Sequence, residues 1–221
     1  MNASLQTLND QIETCRLCPR LVEWREKVSS QKRKAYRNET YWSKPVPGFG
    51  DPAARVFVVG LAPGAHGSNR TGRNFTGDAS GNFLYPALYR AGFANQPAAR
   101  SRDDGLILTD LYLTAAARCA PPDNKPTALE LAACRPYLEH ELRLLHPKVI
   151  VALGRIAFDS LTRIFSIHNP AWKFGHGVTY PLPAATLICS YHPSQQNTLT
   201  GKLTVAMFDQ IWLQVRTLLE A

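Results

Sequence analysis

Four short apolar runs, separated by helix-like stretches, constrain the fold of this chain more than any other feature. They are Val56-Phe57-Val58-Val59, Leu106-Ile107-Leu108 running on through Tyr112, Val149-Ile150-Val151-Ala152-Leu153 and Thr186-Leu187-Ile188-Cys189. A strand with one wet face alternates polar and apolar residues. Near-continuous apolar runs instead mark strands buried on both faces, the habit of parallel sheets. Helical stretches are expected over Asn82–Ala91, Thr127–Leu145, Gly154–Phe165 and Leu203–Leu219. Thr127 with Glu130 three residues on, just after Pro126, spells a capping box. The alternation predicts a three-layer α/β/α fold around a central four-stranded parallel sheet. Ligand sites in such folds collect in loops beyond the carboxyl ends of the strands. The loops after Val59, Tyr112 and Cys189 fall in that place.

A single domain over residues 1–221 is expected, with a helical segment of about 50 residues in front of the sheet. Pro19 fits a first helical position there. No apolar run approaches the roughly 20 residues that span a bilayer. The start, Met1-Asn2-Ala3-Ser4-Leu5, lacks the basic and apolar regions of an export signal. A cytoplasmic monomer with no membrane partner is therefore the expectation. The formal net charge of +8 and pI near 9.4 favour a polyanionic partner such as nucleic acid. The same charge also suits a merely basic soluble protein, and the run Lys32-Arg33-Lys34 with Arg37 suits a solvated face.

The chain has five cysteines. Cys15 and Cys18 form a C-x2-C knuckle, while Cys119 and Cys134 have 14 residues between them. Without an export signal, metal binding is favoured over disulfides. Four thiolates can close a zinc site or hold a four-iron cluster, and spacing alone leaves both open. Cys189 lies in a strand pattern and reads as a core thiol.

The segment Gly60-Leu61-Ala62-Pro63-Gly64-Ala65-His66-Gly67 follows the first run and can bring backbone N–H groups to a ligand. It is neither a P-loop nor a dinucleotide fingerprint, and a tight turn is an equal reading. Its continuation is more specific. The stretches GLAPGAHGSNRTGRNFTGDASG, RCAPPDNKP (Arg118–Pro126) and SYHPSQQNT (Ser190–Thr198) together resemble the type-5 uracil-DNA glycosylases. The resemblance runs from about Cys15 to the last helix.

That resemblance implies a [4Fe-4S] cluster on Cys15, Cys18, Cys119 and Cys134, and DNA containing uracil or other deaminated bases as substrate. It implies base flipping and hydrolysis of the N-glycosidic bond. Phe75 would stack on the flipped base, although alone it also reads as a loop anchor. Asp78 would place water or face the charged sugar, or cap a helix. Asn124 would meet the Watson–Crick edge, or simply turn the chain. His192, with backbone near Ala62 and Gly64, would donate to the departing base. Arg70, Arg73 and Lys202 would hold phosphates, and Pro193–Asn197, with Gln195 and Asn197, would fill the gap in the stack. Other glycosylase types commonly carry a polar or acidic residue in the first loop. Leu61 and Ala62 are both apolar, as in the type-5 family, which moves the acid role to Asp78. A less demanding pocket also fits that family's wider base range, including hypoxanthine and xanthine. A non-catalytic, metal-stabilised nucleic-acid-binding module is the competing reading, and a nucleotide-binding enzyme a more distant one.

Overall fold

The computed structural model describes residues 3–220; the extreme positions 1, 2 and 221 of the expected domain lie outside the described residues. Two helices come first, α1 (Ala3–Glu13) and α2 (Pro19–Gln31), with Pro19 at the start of α2, where its missing N–H costs no helical bond. The sheet and its helices then follow as β1 (Phe49–Gly50), β2 (Val56–Gly60), α3 (Ser68–Thr71), α4 (Ala79–Arg90), β3 (Leu111–Ala115), α5 (Ala128–Leu145), β4 (Val149–Leu153), α6 (Arg155–Ile164), β5 (Thr179–Pro181), β6 (Thr186–Ser190), α7 (Gln195–Leu199) and α8 (Val205–Glu220).

The sheet order is β1-β3-β2-β4-β6-β5. Its four middle strands are mutually parallel, as the apolar runs predict, while β1 and β5 add short antiparallel edges. Alternate strand residues feed two cores. Val56, Val58, Val149, Val151 and Ile188 pack with Leu84, Leu88, Phe208 and Trp212 of α4 and α8. Phe57, Val59, Ile150, Ala152 and Cys189 pack with Leu5, Leu138, Phe158 and Leu161 of α1, α5 and α6. Cys189 is thus a core thiol. No helix among the described residues is long and apolar enough to cross a membrane.

One strand begins later than its pattern suggests. Leu106–Leu108 lies outside the sheet, and Leu108 makes only an isolated bridge to Ala94. Asp110 takes a left-handed backbone (φ 58°) and turns the chain into β3. The capping box at the start of α5 forms as written: Thr127 Oγ1 accepts from the Glu130 N–H, and Glu130 accepts from the Thr127 N–H. Beneath it, Arg118 and Glu141 form a fully buried ion pair at 2.6 Å, with Thr114 of β3 bonded to both. This pair clamps α5 to the sheet next to Cys119.

Candidate active site

The loops leaving β2 and β3 start side by side, because the Ala116 and Ala117 N–H groups donate to Gly60 and Leu61 (both 3.0 Å) beyond the paired strands. Gly60 must lack a side chain: a Cβ there would lie 2.7 Å from Cζ of Phe75, whose ring covers the strand end. Phe75 has φ 53°, a left-handed conformation that costs a residue with a Cβ about 1–3 kcal/mol. Its neighbours hold it there. Ser68 Oγ accepts the Phe75 N–H (3.0 Å), Tyr85 donates to the Asn74 carbonyl (2.7 Å) and Asn74 donates to the Pro47 carbonyl (2.8 Å).

His192, just beyond β6, stacks on Phe75 with centroids 5.7 Å apart and planes at 28°. Gly154, with φ 98°, leaves β4 close beneath it; a Cβ there would stand 3.2 Å from that of His192. Asn197 of α7 donates to the His192 carbonyl at 2.8 Å. Burial pushes the imidazole down to about 4, so near neutral pH the ring is uncharged and keeps one N–H to donate.

Asp78 satisfies both readings of its role at once. Oδ1 caps α4 by accepting the Gly81 N–H at 2.9 Å. Oδ2 faces the glycine loop, where Cβ atoms on Gly64 and Gly67 would stand 3.2 and 2.0 Å away. Burial raises its pKa above the ordinary 3.8, outweighing the backbone hydrogen bonds and the nearby Arg70 that lower it. Ala62 and Gly64 are half-buried in the same loop, and the Gly64 carbonyl accepts from the Gly67 and Asn69 N–H groups at 3.2 and 3.0 Å. Phe75, Asp78 and His192 are therefore brought to one end of the sheet, together with that loop.

Asn124 stands apart. It is exposed on a 3-10 turn, Pro122–Asn124, with φ 55°, and no side-chain contact joins it to Phe75, Asp78 or His192 among the described residues. Gln195 and Lys202 are exposed, and Lys202 lies over the Tyr191 ring at 4.9 Å. Two assignments need correction. Arg70 is 9% and Arg73 3% exposed. Arg70 is spent on Glu39, the His66 and Gly77 carbonyls and the face of Tyr36. Arg73 is spent on Asp104, Thr76 and the Arg102 carbonyl. Both hold the loop from inside and present no guanidinium to a phosphate.

Exposed cations lie instead on the segment before β1. Lys34, Arg37 and Lys44 are exposed, and their segment is fastened to the glycine loop. The Trp42 and Ser43 N–H groups donate to Arg70 and Asn69 (2.9 and 3.0 Å), and the Tyr41 hydroxyl bonds His66 Nδ1 (2.9 Å). Sequence reading also passed over Leu199, 80% exposed on α7 directly after the His192 loop. The available signal was an apolar residue inside the polar run Ser194–Lys202.

The four remaining cysteines share one neighbourhood at the junction of α2, the loop after β3 and α5. Burial is the main cause that raises Cys18 to about 11 and Cys119 to about 12, with neighbouring thiols adding to both. Cys134 is raised in the same way, despite the Arg118 backbone N–H that it accepts. Among the described residues, no three His, Cys, Asp or Glu side chains stand close enough to hold a single metal ion.

Comparison with known proteins bears on this geometry. A model of the uracil DNA glycosylase superfamily matches residues 47–216. A protein of Thermus thermophilus named type-5 uracil-DNA glycosylase is 56% identical over 218 residues, covering 98% of this chain and 97% of that protein. Proteins of the same name from Mycobacterium leprae and Pyrobaculum aerophilum are 48% and 44% identical, over 97% and 91% of this chain and 96% and 88% of their own lengths.

Proposed function

The chain belongs to the uracil DNA glycosylase superfamily, within its type-5 branch, and from that premise we propose that it hydrolyses the N-glycosidic bond of uracil, and of other deaminated bases, in DNA. The observation that carries this reading is the meeting of Phe75, His192 and Asp78 at one sheet end.

A base inside a duplex is out of reach, so it must be turned out of the stack at a cost of a few kcal/mol. Phe75 offers the everted ring a flat apolar face, with the His192 ring 5.7 Å from its own. Leaving electrons flow from the breaking bond into the base. The neutral His192 N–H donates to the oxygen where that charge gathers. The sugar, electron-poor at C1′, lies toward Asp78 Oδ2, whose charge steadies it and whose raised pKa suits it to take a proton from water. Water adds to C1′, the proton it sheds returns to the base, and one water is consumed.

Leu61 and Ala62 put no polar side chain against the base, which supports a wide range extending to hypoxanthine and xanthine. Asn124 reaches the base edge only if its turn moves inward on binding DNA. Lys34, Arg37, Lys44 and Lys202 meet phosphates in place of Arg70 and Arg73. Leu199, beside Gln195 and Asn197, enters the gap left in the stack, as apolar wedges do elsewhere.

The thiols of Cys15, Cys18, Cys119 and Cys134 hold a [4Fe-4S] cluster in this reading. The same four thiolates could close a zinc site, and counting iron and zinc in the purified protein separates the two. N–H donors aimed at sulfur, Arg118 to Cys134 and Arg25 to Cys119, suit cluster thiolates. When bound, the cluster cross-links α2, the loop carrying Asn124 and α5.

Alkali nicking of a uracil-containing duplex under single-turnover conditions tests the proposal. The parent protein is expected to open the strand at uracil, with Asp78→Asn slower by at least about 10²-fold. Cleavage by the variant at near the parent rate removes Asp78 from the chemistry; no cleavage by either removes the activity.

A further inference from the structure

Four arginines are buried among the described residues: Arg25, Arg70, Arg73 and Arg118. Three have a carboxylate partner, in Glu39, Asp104 and Glu141. Arg25, 2% exposed in the middle of α2, has none within ion-pair distance among the described residues. Its Nη1 donates to Cys119 Sγ at 3.0 Å, its Nη2 donates to the Cys15 carbonyl at 3.3 Å, and its Nε has no partner. A buried guanidinium cannot shed its proton, and a buried charge without a counter-charge is strongly disfavoured. The negative groups it can pair with are thiolates.

We propose that Arg25 is the built-in charge partner of the four-cysteine centre, a positioning residue that offsets the negative charge of the ligated thiolates. The proposal rests on the cluster reading above. Net charge and hydrogen bonds to sulfur set the reduction potential of an iron–sulfur centre. A cation at this spot favours the more negative, reduced form and so draws the midpoint upward. It also strengthens retention of the thiolates as ligands, since outer-shell partners of metal ligands commonly govern affinity.

The test compares the parent protein with Arg25→Lys, which keeps the charge, and Arg25→Gln, which keeps an N–H donor but loses the charge. Each is purified without oxygen. Iron and sulfide are counted, the midpoint is read by voltammetry with the electron supplied by the electrode, and iron loss to a chelator is timed. The Lys variant is expected to stay near the parent in both readouts. The Gln variant is expected to shift to a more negative midpoint and to lose iron at least several-fold faster; failure to recover it with iron while the Lys variant holds its iron counts as the same result. A Gln variant unmoved in both readouts overturns the proposal, as does a Lys variant displaced or emptied as far as the Gln variant, which would make shape rather than charge the requirement. Zinc in place of iron in the parent is a separate outcome that removes the cluster reading, and this proposal with it.

Discussion

Gly67→Ala offers a sharp probe of how Asp78 is placed. The new Cβ would stand 2.0 Å from Asp78 Oδ2 and 2.7 Å from its Cβ and Cγ. Ordinary contact begins at 3.4 Å, so the oxygen must retreat by about 1.4 Å (3.4 less 2.0). The glycine itself has φ −99° and ψ −103°. The Asp78 carboxylate is the group nearest the new atom and is pushed off its position. A displacement near 1 Å at a reacting group costs about 10²-fold in rate, or about 2.7 kcal/mol of activation free energy. Overpacking adds about 1–3 kcal/mol of lost stability, so the rate is measured well below the unfolding temperature. Gly64→Ala is the graded companion: its Cβ would meet the same oxygen at 3.2 Å, which a shift of a few tenths of an ångström relieves. Single-turnover uracil release should fall steeply for Gly67→Ala and only a few-fold for Gly64→Ala. Equal rates in both variants, or a Gly67→Ala variant as fast as the parent, would refute the placement of Asp78 derived above.

Glu141→Gln leaves Arg118 charged and without its carboxylate inside the protein; a loss of roughly 3–5 kcal/mol should lower the melting temperature by roughly 6–20 °C, and an unchanged melting curve would show that the pair carries nothing. The His192 ring should titrate near 4 when followed by NMR. Because its folded pKa lies below the ordinary 6.5, the stability it contributes is complete above 6.5 and drains away as pH falls toward 4, a loss that His192→Asn should reduce. The acid limb of the rate should lie above 3.8 in the parent, since burial raises Asp78, and protonation there removes the base; a limb unaltered in Asp78→Asn assigns it elsewhere. Joint replacement of Lys34, Arg37 and Lys44 by alanine should reduce the salt slope of DNA binding by roughly 2–3, near 0.9 per lost phosphate contact, and an unchanged slope would place the DNA on another face.

The sheet was legible because its four parallel strands are buried on both faces and so read as apolar runs. Its edges were not: β1 has two residues, and β5 is a mostly exposed Thr-Tyr-Pro with no pattern to find. The start of β3 was misplaced because Leu106–Leu108 is as apolar as a strand, and only the left-handed turn at Asp110 separates them. Phe75, Asp78 and His192 could be picked out because the loop motifs that carry them resemble those of the type-5 family, and strand-end loops have a fixed place in this architecture. The arginines could not. Charge in a sequence does not say which way it points, and the carboxylates that capture Arg70 and Arg73 lie 31 residues from each in the chain. Arg25 escaped for the same reason, with its cysteine partner 94 residues away.

A crystal structure of this protein on a duplex bearing a 2′-fluorinated, cleavage-resistant deoxyuridine would examine the shared pocket head-on. The uracil ring should lie outside the helix against Phe75, with a His192 nitrogen within hydrogen-bond distance of its O2 and Asp78 Oδ2 turned toward C1′. A uracil still paired within the duplex, or lodged at a site that touches none of the three, would contradict the account.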